Sequence, residues 1–248
     1  MTLTSEREVY EYYQKEGKTK HQFATDFKTS FHKKRYSILK DTIRSISKGI
    51  TLDIGCAEGW STAWASEYAE LAIGIDISIP KVKRAVIESK TTNTEFIVGS
   101  FDYLPFKNDV FDLVIWSEGP EHALDPESVF NQIFNLLKNK GRLFISTMGL
   151  EPPSYYCIFR KLIGKWENDL KELHSWGHST LFTKDSLQKI LEKHFTMEKE
   201  FFIGPNVIIP VRIFQYLLER FMEITRKDYA RSAWPGFGCL FLLIHKRQ

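Results

Sequence analysis

Leu52-Asp53-Ile54-Gly55-Cys56-Ala57-Glu58-Gly59-Trp60 is the stretch that decides the fold. An apolar run from Ile50 stops abruptly in a turn of small residues, and good helix formers follow from Ser61 to Ala69. Gly55, Ala57 and Gly59 let a ligand approach the backbone closely, and glycine also tolerates a positive φ. The helix after Trp60 points its N-terminus, with unpaired amides and the positive end of its dipole, at whatever the turn holds. Strand, small-residue turn and helix in that order form the first unit of a nucleotide-binding α/β domain.

The next apolar run, Leu71-Ala72-Ile73-Gly74-Ile75-Asp76, ends in a carboxylate 21 residues after Gly55. An acid at that distance, at the tip of a second strand, accepts hydrogen bonds from a ribose diol, so the expected ligand carries an adenosine-like ribose. The turn is Asp-x-Gly-x-Ala-x-Gly, not the Gly-x-Gly-x-x-Gly that brings amides against a pyrophosphate. A carboxylate two residues before the first glycine repels a pyrophosphate and suits a ligand with a cationic end, such as an ammonium or a sulfonium. The same features disfavour a nicotinamide-dependent oxidoreductase.

Further along, strand and helix patterns alternate, as in a parallel sheet with helices on both faces. Strands are predicted near 50–55, 71–76, 94–98, 111–117, 141–147, 197–203 and 237–245. Helices are predicted near 60–69, 79–90, 126–138 and 183–194. Pro80 and Pro126 suit first-turn positions, and Val129, Ile133, Leu136 and Leu137 recur at helical spacing and face the sheet. A chain of 248 residues fits one domain. Three regions flank or interrupt its core (46–195). They are a helical N-terminal cap (1–45, with Phe23, Phe27 and Phe31 at spacing four), a connection (150–182) and an insertion (204–236) with an apolar stripe from Ile213 to Met222. Ligands of such sheets bind beyond the C-terminal strand ends, so these regions are expected to form the lid and hold the substrate.

Five segments in order resemble the class I S-adenosylmethionine-dependent methyltransferases. Asp53 to Gly59 resembles their motif I, Gly74-Ile-Asp76-Ile-Ser78 their ribose motif, and Val98-Gly99-Ser100-Phe101-Asp102-Tyr103-Leu104-Pro105-Phe106 their adenine segment. Phe111 to Ser117 resembles their fourth strand and Gly141 to Thr147 their fifth. The resemblance covers roughly residues 35–195. It implies a Rossmann-like, mostly parallel sheet of seven strands with an antiparallel last strand, and it implies S-adenosylmethionine as methyl donor, with S-adenosylhomocysteine as product. The implied cofactor contacts are Asp53, Gly55, Cys56, Ala57 and Gly59 at the methionine end and Asp76 at the ribose. Ile77, Ser100, Phe101 and Asp102 are implied around adenine, and Ser117 at the end of the fourth strand. Ala57 stands where glycine is usual and Ser100 where aspartate is usual, so Ser100 or Asp102 is left to meet the adenine amine. The implied reaction is an in-line displacement on the sulfonium methyl by an O, N or C nucleophile of a small molecule.

Glu118-Gly-Pro-Glu121-His122 follows the fourth strand directly. His122, and after it Glu118, are the candidates for a general base. The segment resembles the Glu-x-x-Glu-His of the ubiquinone-pathway O-methyltransferases and of enzymes that methylate the 2′-hydroxyl at small-RNA 3′ ends. In the RNA enzymes these residues and a later His bind a divalent metal. That likeness implies Glu118, Glu121, His122 and His178 as a ligand set fit for Mg²⁺, Mn²⁺ or Zn²⁺, against the plainer reading of a metal-free base or a packing role.

Composition narrows the rest. A formal net charge of +3 falls short of the footprint of a dedicated nucleic-acid binder. The three cysteines, Cys56, Cys157 and Cys239, form no disulfide or zinc pattern. No apolar stretch reaches the length of a membrane helix, and with no signal-peptide core at the start the expected compartment is the cytoplasm. Besides a small-molecule methyltransferase, the sequence allows a metal-assisted RNA 2′-O-methyltransferase or a cofactor-binding protein without chemistry.

Overall fold

The computed structural model describes residues 4–18, 30–149, 162–164, 167, 171, 177–180, 182, 184–203 and 238–246. Among the described residues, two helices, α1 (Glu6–Glu16) and α2 (Ser30–Ile46), precede the sheet. The core then runs β1 (Ile50–Ile54), α3 (Trp60–Ser66), β2 (Leu71–Asp76), α4 (Ile79–Glu88), β3 (Thr94–Val98) and β4 (Phe111–Ser117). After a short 3-10 turn (Pro120–His122) come α5 (Pro126–Leu136), β5 (Leu137–Gly149), α6 (Lys184–Leu191), β6 (Phe195–Ile203) and β7 (Gly238–Lys246).

The seven strands form one sheet in the order β3-β2-β1-β4-β5-β7-β6. β1 to β5 pair in parallel, and β7 lies antiparallel between β5 and β6. This is the Rossmann-like sheet with an antiparallel last strand that the sequence predicts. The order reverses between β1 and β4, so a crevice opens at their C-terminal ends. Ile54 pairs with Trp116 there, which sets Gly55 beside Ser117.

Burial on both faces explains the near-continuous apolar strands. Along β4, Val114 and Trp116 join the cluster under α5, with Leu52, Ile54, Val129, Phe130, Ile133 and Leu136. The alternate residues Leu113 and Ile115 pack on the opposite face with Ile38, Leu39 and Ile43 of α2 and Ala65 of α3. Asp125 caps α5 by accepting from the Ser128 N–H, and Pro126 sits in its first turn, where no amide partner is needed.

The main departures from the sequence reading are at element ends. α5 stops at Leu136, and Leu137 turns extended (φ −73°, ψ 134°) and pairs with Phe111 instead of continuing the helix. A register shift then absorbs the extra residues before Leu113 pairs with Arg142, so β5 starts earlier than 141. α3 ends at Ser66, short of 69, because the Asn93 Nδ2 group caps the carbonyls of Ser66 and Ala69. Phe23, Phe27, the stripe 213–222 and most of 150–182 lie outside the described residues. Among the described residues no helix is long and apolar enough to cross a membrane.

Two glycines of the first turn differ in a testable way. Gly59 has φ +81°, and a Cβ there would meet the Phe96 ring at 2.7 Å. Gly55 has φ +69° with open space around it. Gly59→Ala is expected to cost about 2–4 kcal/mol, a left-handed residue plus overpacking. Gly55→Ala costs only the backbone part, about 1–2 kcal/mol. Urea unfolding of both variants checks the order.

Candidate active site

The loop after β1 is held by its neighbours. Gly55 and Cys56 donate their N–H groups to the Ile75 carbonyl (2.8 and 3.1 Å), and Gly59 donates to Cys56 O (2.8 Å). Between them Ala57 sits at φ +48°. A side chain in that region is disfavoured by roughly 1 kcal/mol or more, which is the physical reason a glycine suits this position better. The Ala57 N–H donates to Asp76 Oδ2 at 2.9 Å, and the Ser78 N–H donates to Oδ1 of the same carboxylate at 2.8 Å. Asp76 thus ties the β1 turn to the β2 turn. A carboxylate has about four acceptor positions, so capacity remains for a ribose diol.

Asp53 departs from its expected surroundings. Its partners are not left to a ligand: the Ser61 and Thr62 hydroxyls of α3 both donate to its Oδ2 at 2.6 Å, and the residue is 2% exposed. Burial pushes its carboxyl up to about 6, against the pull of those two hydrogen bonds. Cys56 is buried beside it, and burial pushes its thiol well up, so it is no nucleophile.

In the adenine segment, Ser100 Oγ donates to Asp102 Oδ2 (2.8 Å) and accepts from the Asp102 N–H (3.1 Å). Ser100 is therefore spent largely on Asp102, and the carboxylate is the better acceptor for an exocyclic amine. Gln132 braces the segment through Asp102 O and the Leu104 N–H, and Phe101 packs on Trp116 at 5.8 Å between centroids. Ser117 Oγ pairs with Ser146 Oγ at 2.7 Å.

The residues after β4 separate into two groups. Glu121, His122 and His178 come together, with candidate ligand atoms within 4.8 Å of one another. Glu118 does not join them. It sits at φ +53°, facing Arg35 Nη1 (3.1 Å) and Ser146 Oγ (2.9 Å). The expected four-residue metal set is thus three residues, and one of them, the fully buried Glu121, already accepts from Thr147 Oγ1 at 2.8 Å. Two ligands about 2.1 Å from one ion lie at most about 4.2 Å apart, so an ion would have to draw this group inward.

α1 supplies what the sequence reading missed. Tyr13 OH lies 2.7 Å from His122 Nδ1, which also faces Gly177 O at 3.0 Å. Gln14 brackets the β2 turn, donating to Ile77 O (2.7 Å) and accepting from the Ile79 N–H (3.2 Å). Ser78 Oγ donates to Tyr13 O, and Arg84 links Gly17 O of the α1 end to Glu58 of the β1 loop. Burial holds His122 below the usual imidazole range, opposed by the Gly177 carbonyl, and burial raises the Tyr13 phenol. His122 is thus neutral near neutral pH, with Nδ1 engaged. No local motif marks Tyr13 or Gln14; their helix meets the site only through the fold.

Comparison with known proteins bears on the family and the fold. A family model described as a methyltransferase domain matches residues 46–195, more than half of the chain. Squalene methyltransferase 1 of Botryococcus braunii is 29% identical over 137 residues, covering 50% of this chain and 35% of that protein. The mitochondrial ubiquinone biosynthesis O-methyltransferase of Bos taurus is 29% identical over 157 residues, covering 58% and 40%. The chain thus spans half or less of the length of these two relatives. The N-methyltransferase NodS of Bradyrhizobium japonicum, solved with S-adenosyl-L-homocysteine, shares the fold. Its TM-score is 0.63 at 16% identity, over 97% of this chain and 99% of that one.

The Asp53 carboxyl gives a pH test. Its folded value of about 6 exceeds the ordinary 3.8, so folding takes up a proton between those pH values. Its contribution to stability is largest at low pH, falls as pH rises through that window, and is constant above it. Asp53→Asn removes this dependence. The stability difference, wild type minus variant, is expected to fall by about 1 kcal/mol from pH 5 to pH 7.5 in urea unfolding.

Proposed function

The chain belongs to the methyltransferase-domain family, a family of S-adenosylmethionine-dependent enzymes, and on that premise we propose that it methylates an O, N or C nucleophile of a small molecule. The observation that carries this reading is the cradle at the switch point. A Cβ on Gly55 would meet nothing within 4 Å, and the Asp76 carboxylate holds the adjoining loop. Gly55, Cys56, Ala57 and Gly59 line the methionine end, with Asp53 beneath and Ser117 beside them. Asp76 takes the ribose, and Ile77, Phe101 and Asp102 the adenine, with Ser100 orienting Asp102. Bound there, S-adenosylmethionine supplies a methyl already made electrophilic by its sulfonium, and its product is S-adenosylhomocysteine.

The chain's own residues orient the acceptor, exclude water and move one proton. α1 covers the β2 turn and reaches His122, which shields the site. A nucleophile that must lose a proton gives it to neutral His122. Its Nδ1 is engaged by Tyr13 and Gly177, so Nε2 is the accepting nitrogen. Glu118, held by Arg35 and Ser146, is secondary in that role. The gathered Glu121, His122 and His178 favour a second reading, metal-assisted transfer to an RNA 2′-hydroxyl. Activity that survives EDTA removes it.

Isothermal titration with S-adenosylhomocysteine tests the main reading, and absence of binding would overturn it. Asp76→Ala is expected to weaken binding about 10- to 100-fold, the loss of hydrogen bonds to a charged group. Activity requires neutral His122, so it is present above the folded pKa of that group and lost as pH falls through it. Because burial lowers that pKa, the acid limb of kcat/KM is expected below pH 6.5. His122→Ala abolishes the limb.

A further inference from the structure

Four residues other than glycine hold a positive φ among the described residues: Ala57 (+48°), Asp109 (+56°), Glu118 (+53°) and Lys140 (+66°). A Cβ disfavours that region, which persists only where the surroundings impose it. Asp109 and Lys140 lie near the N-terminal ends of β4 and β5, away from the crevice. Glu118 is tied down by its own side chain, through Arg35 and Ser146. Ala57 stands at the crevice with a methyl group, which can make no such bond.

Gly55 and Cys56 are pinned by the Ile75 carbonyl, and the Gly59 N–H closes the turn on Cys56 O. Ala57 occupies the first central position of that turn, where a positive φ calls for glycine. Arg84 Nε fixes the Glu58 side chain at 2.9 Å. The firmest bond at Ala57 itself is its N–H on Asp76 Oδ2 at 2.9 Å, while its carbonyl meets the weak Cys56 thiol donor at 3.9 Å. The residue is half-buried and its methyl joins neither core cluster. Core packing therefore does not account for a side chain at this place. The flanking glycines differ from it, since the Phe96 ring leaves no room for a Cβ at Gly59 and Gly55 faces open space.

We propose that Ala57 is a positioning residue that works against fold stability: its Cβ confines the empty turn to the conformation that keeps the Ala57 amide on Asp76, ready for the cofactor. The proposal rests on the S-adenosylmethionine reading above and deepens it. Glycine at the same place populates both signs of φ about equally. Its amide would then leave Asp76 part of the time, and the turn would be competent to bind for only a fraction of the molecules. Apparent affinity falls by that fraction. The side chain instead restricts the turn before the ligand arrives, which lowers the entropy lost on binding. Strain of this kind gives a purely structural turn no benefit, because relaxing it would only stabilise the fold.

The test compares Ala57→Gly with wild type in the full chain by urea unfolding, by titration with S-adenosylhomocysteine and by hydrogen exchange at the residue 57 amide. The variant is expected to unfold at a higher urea concentration, because the left-handed backbone no longer opposes folding. It is expected to bind S-adenosylhomocysteine about 2- to 5-fold more weakly, the factor that corresponds to the difference in backbone freedom between glycine and alanine. In the empty variant the residue 57 amide exchanges faster than in the wild type, and saturation with S-adenosylhomocysteine brings the two rates together. Binding as tight as wild type or tighter, or a lower urea midpoint, overturns the proposal. So does weaker binding with unchanged exchange at residue 57, which marks a lost methyl contact with the ligand. Wild type that does not bind S-adenosylhomocysteine overturns the S-adenosylmethionine reading itself, and this proposal with it.

Discussion

The Asp76 carboxylate is the joint on which the site depends. One oxygen holds the Ala57 amide of the β1 turn and the other holds the Ser78 amide at the start of α4. The first bond secures Ala57 in a backbone conformation that alanine otherwise avoids. The second shapes the turn on which α1 docks, through Gln14 at Ile77 and Ile79 and through the Ser78 hydroxyl on Tyr13 O. One half-buried acid thus sets the shape of the small-residue turn and the seat of the helix that covers it. Burial raises the pKa of this carboxyl, and the two amides oppose that shift, which favours the charged form a ribose diol would meet.

α1 joins two sides of the crevice that the sheet alone leaves separate. Its Gln14 lies on the β2 turn and its Tyr13 on His122 after β4. Arg84 adds a bond from α4 to the end of α1 and another to Glu58 of the first loop. The site is therefore assembled by three turns and a helix, each bonded to another, and not by any one motif.

Motifs that lie on one strand–turn–helix were legible because their chemistry is local. Asp76 was found from its spacing to Gly55, and the antiparallel last strand from the family likeness. The end of α5 is not legible in the sequence, because Leu137 satisfies a helical pattern equally well and only pairing with Phe111 favours the strand. The likeness to Glu-x-x-Glu-His enzymes groups Glu118 with Glu121 and His122. A left-handed backbone at Glu118 turns it to Arg35, 83 residues earlier in the chain. Tyr13 carries no signature at all, since one aromatic on an amphipathic helix looks like packing.

The methyltransferase family came from the likeness of five segments in order; from its residues alone the sequence determined the alternation of strands and helices, the small-residue turn and the acid at the second strand tip. These follow from periodicity and steric permission, which act between neighbours in the chain. Only the tertiary structure decided which charged groups face each other. It gave Asp53 to Ser61 and Thr62, Glu118 to Arg35, and His122 to Tyr13. Such pairings depend on which helix lands on which strand end, and a buried charge or imidazole takes its partner from whatever the fold brings within about 3 Å.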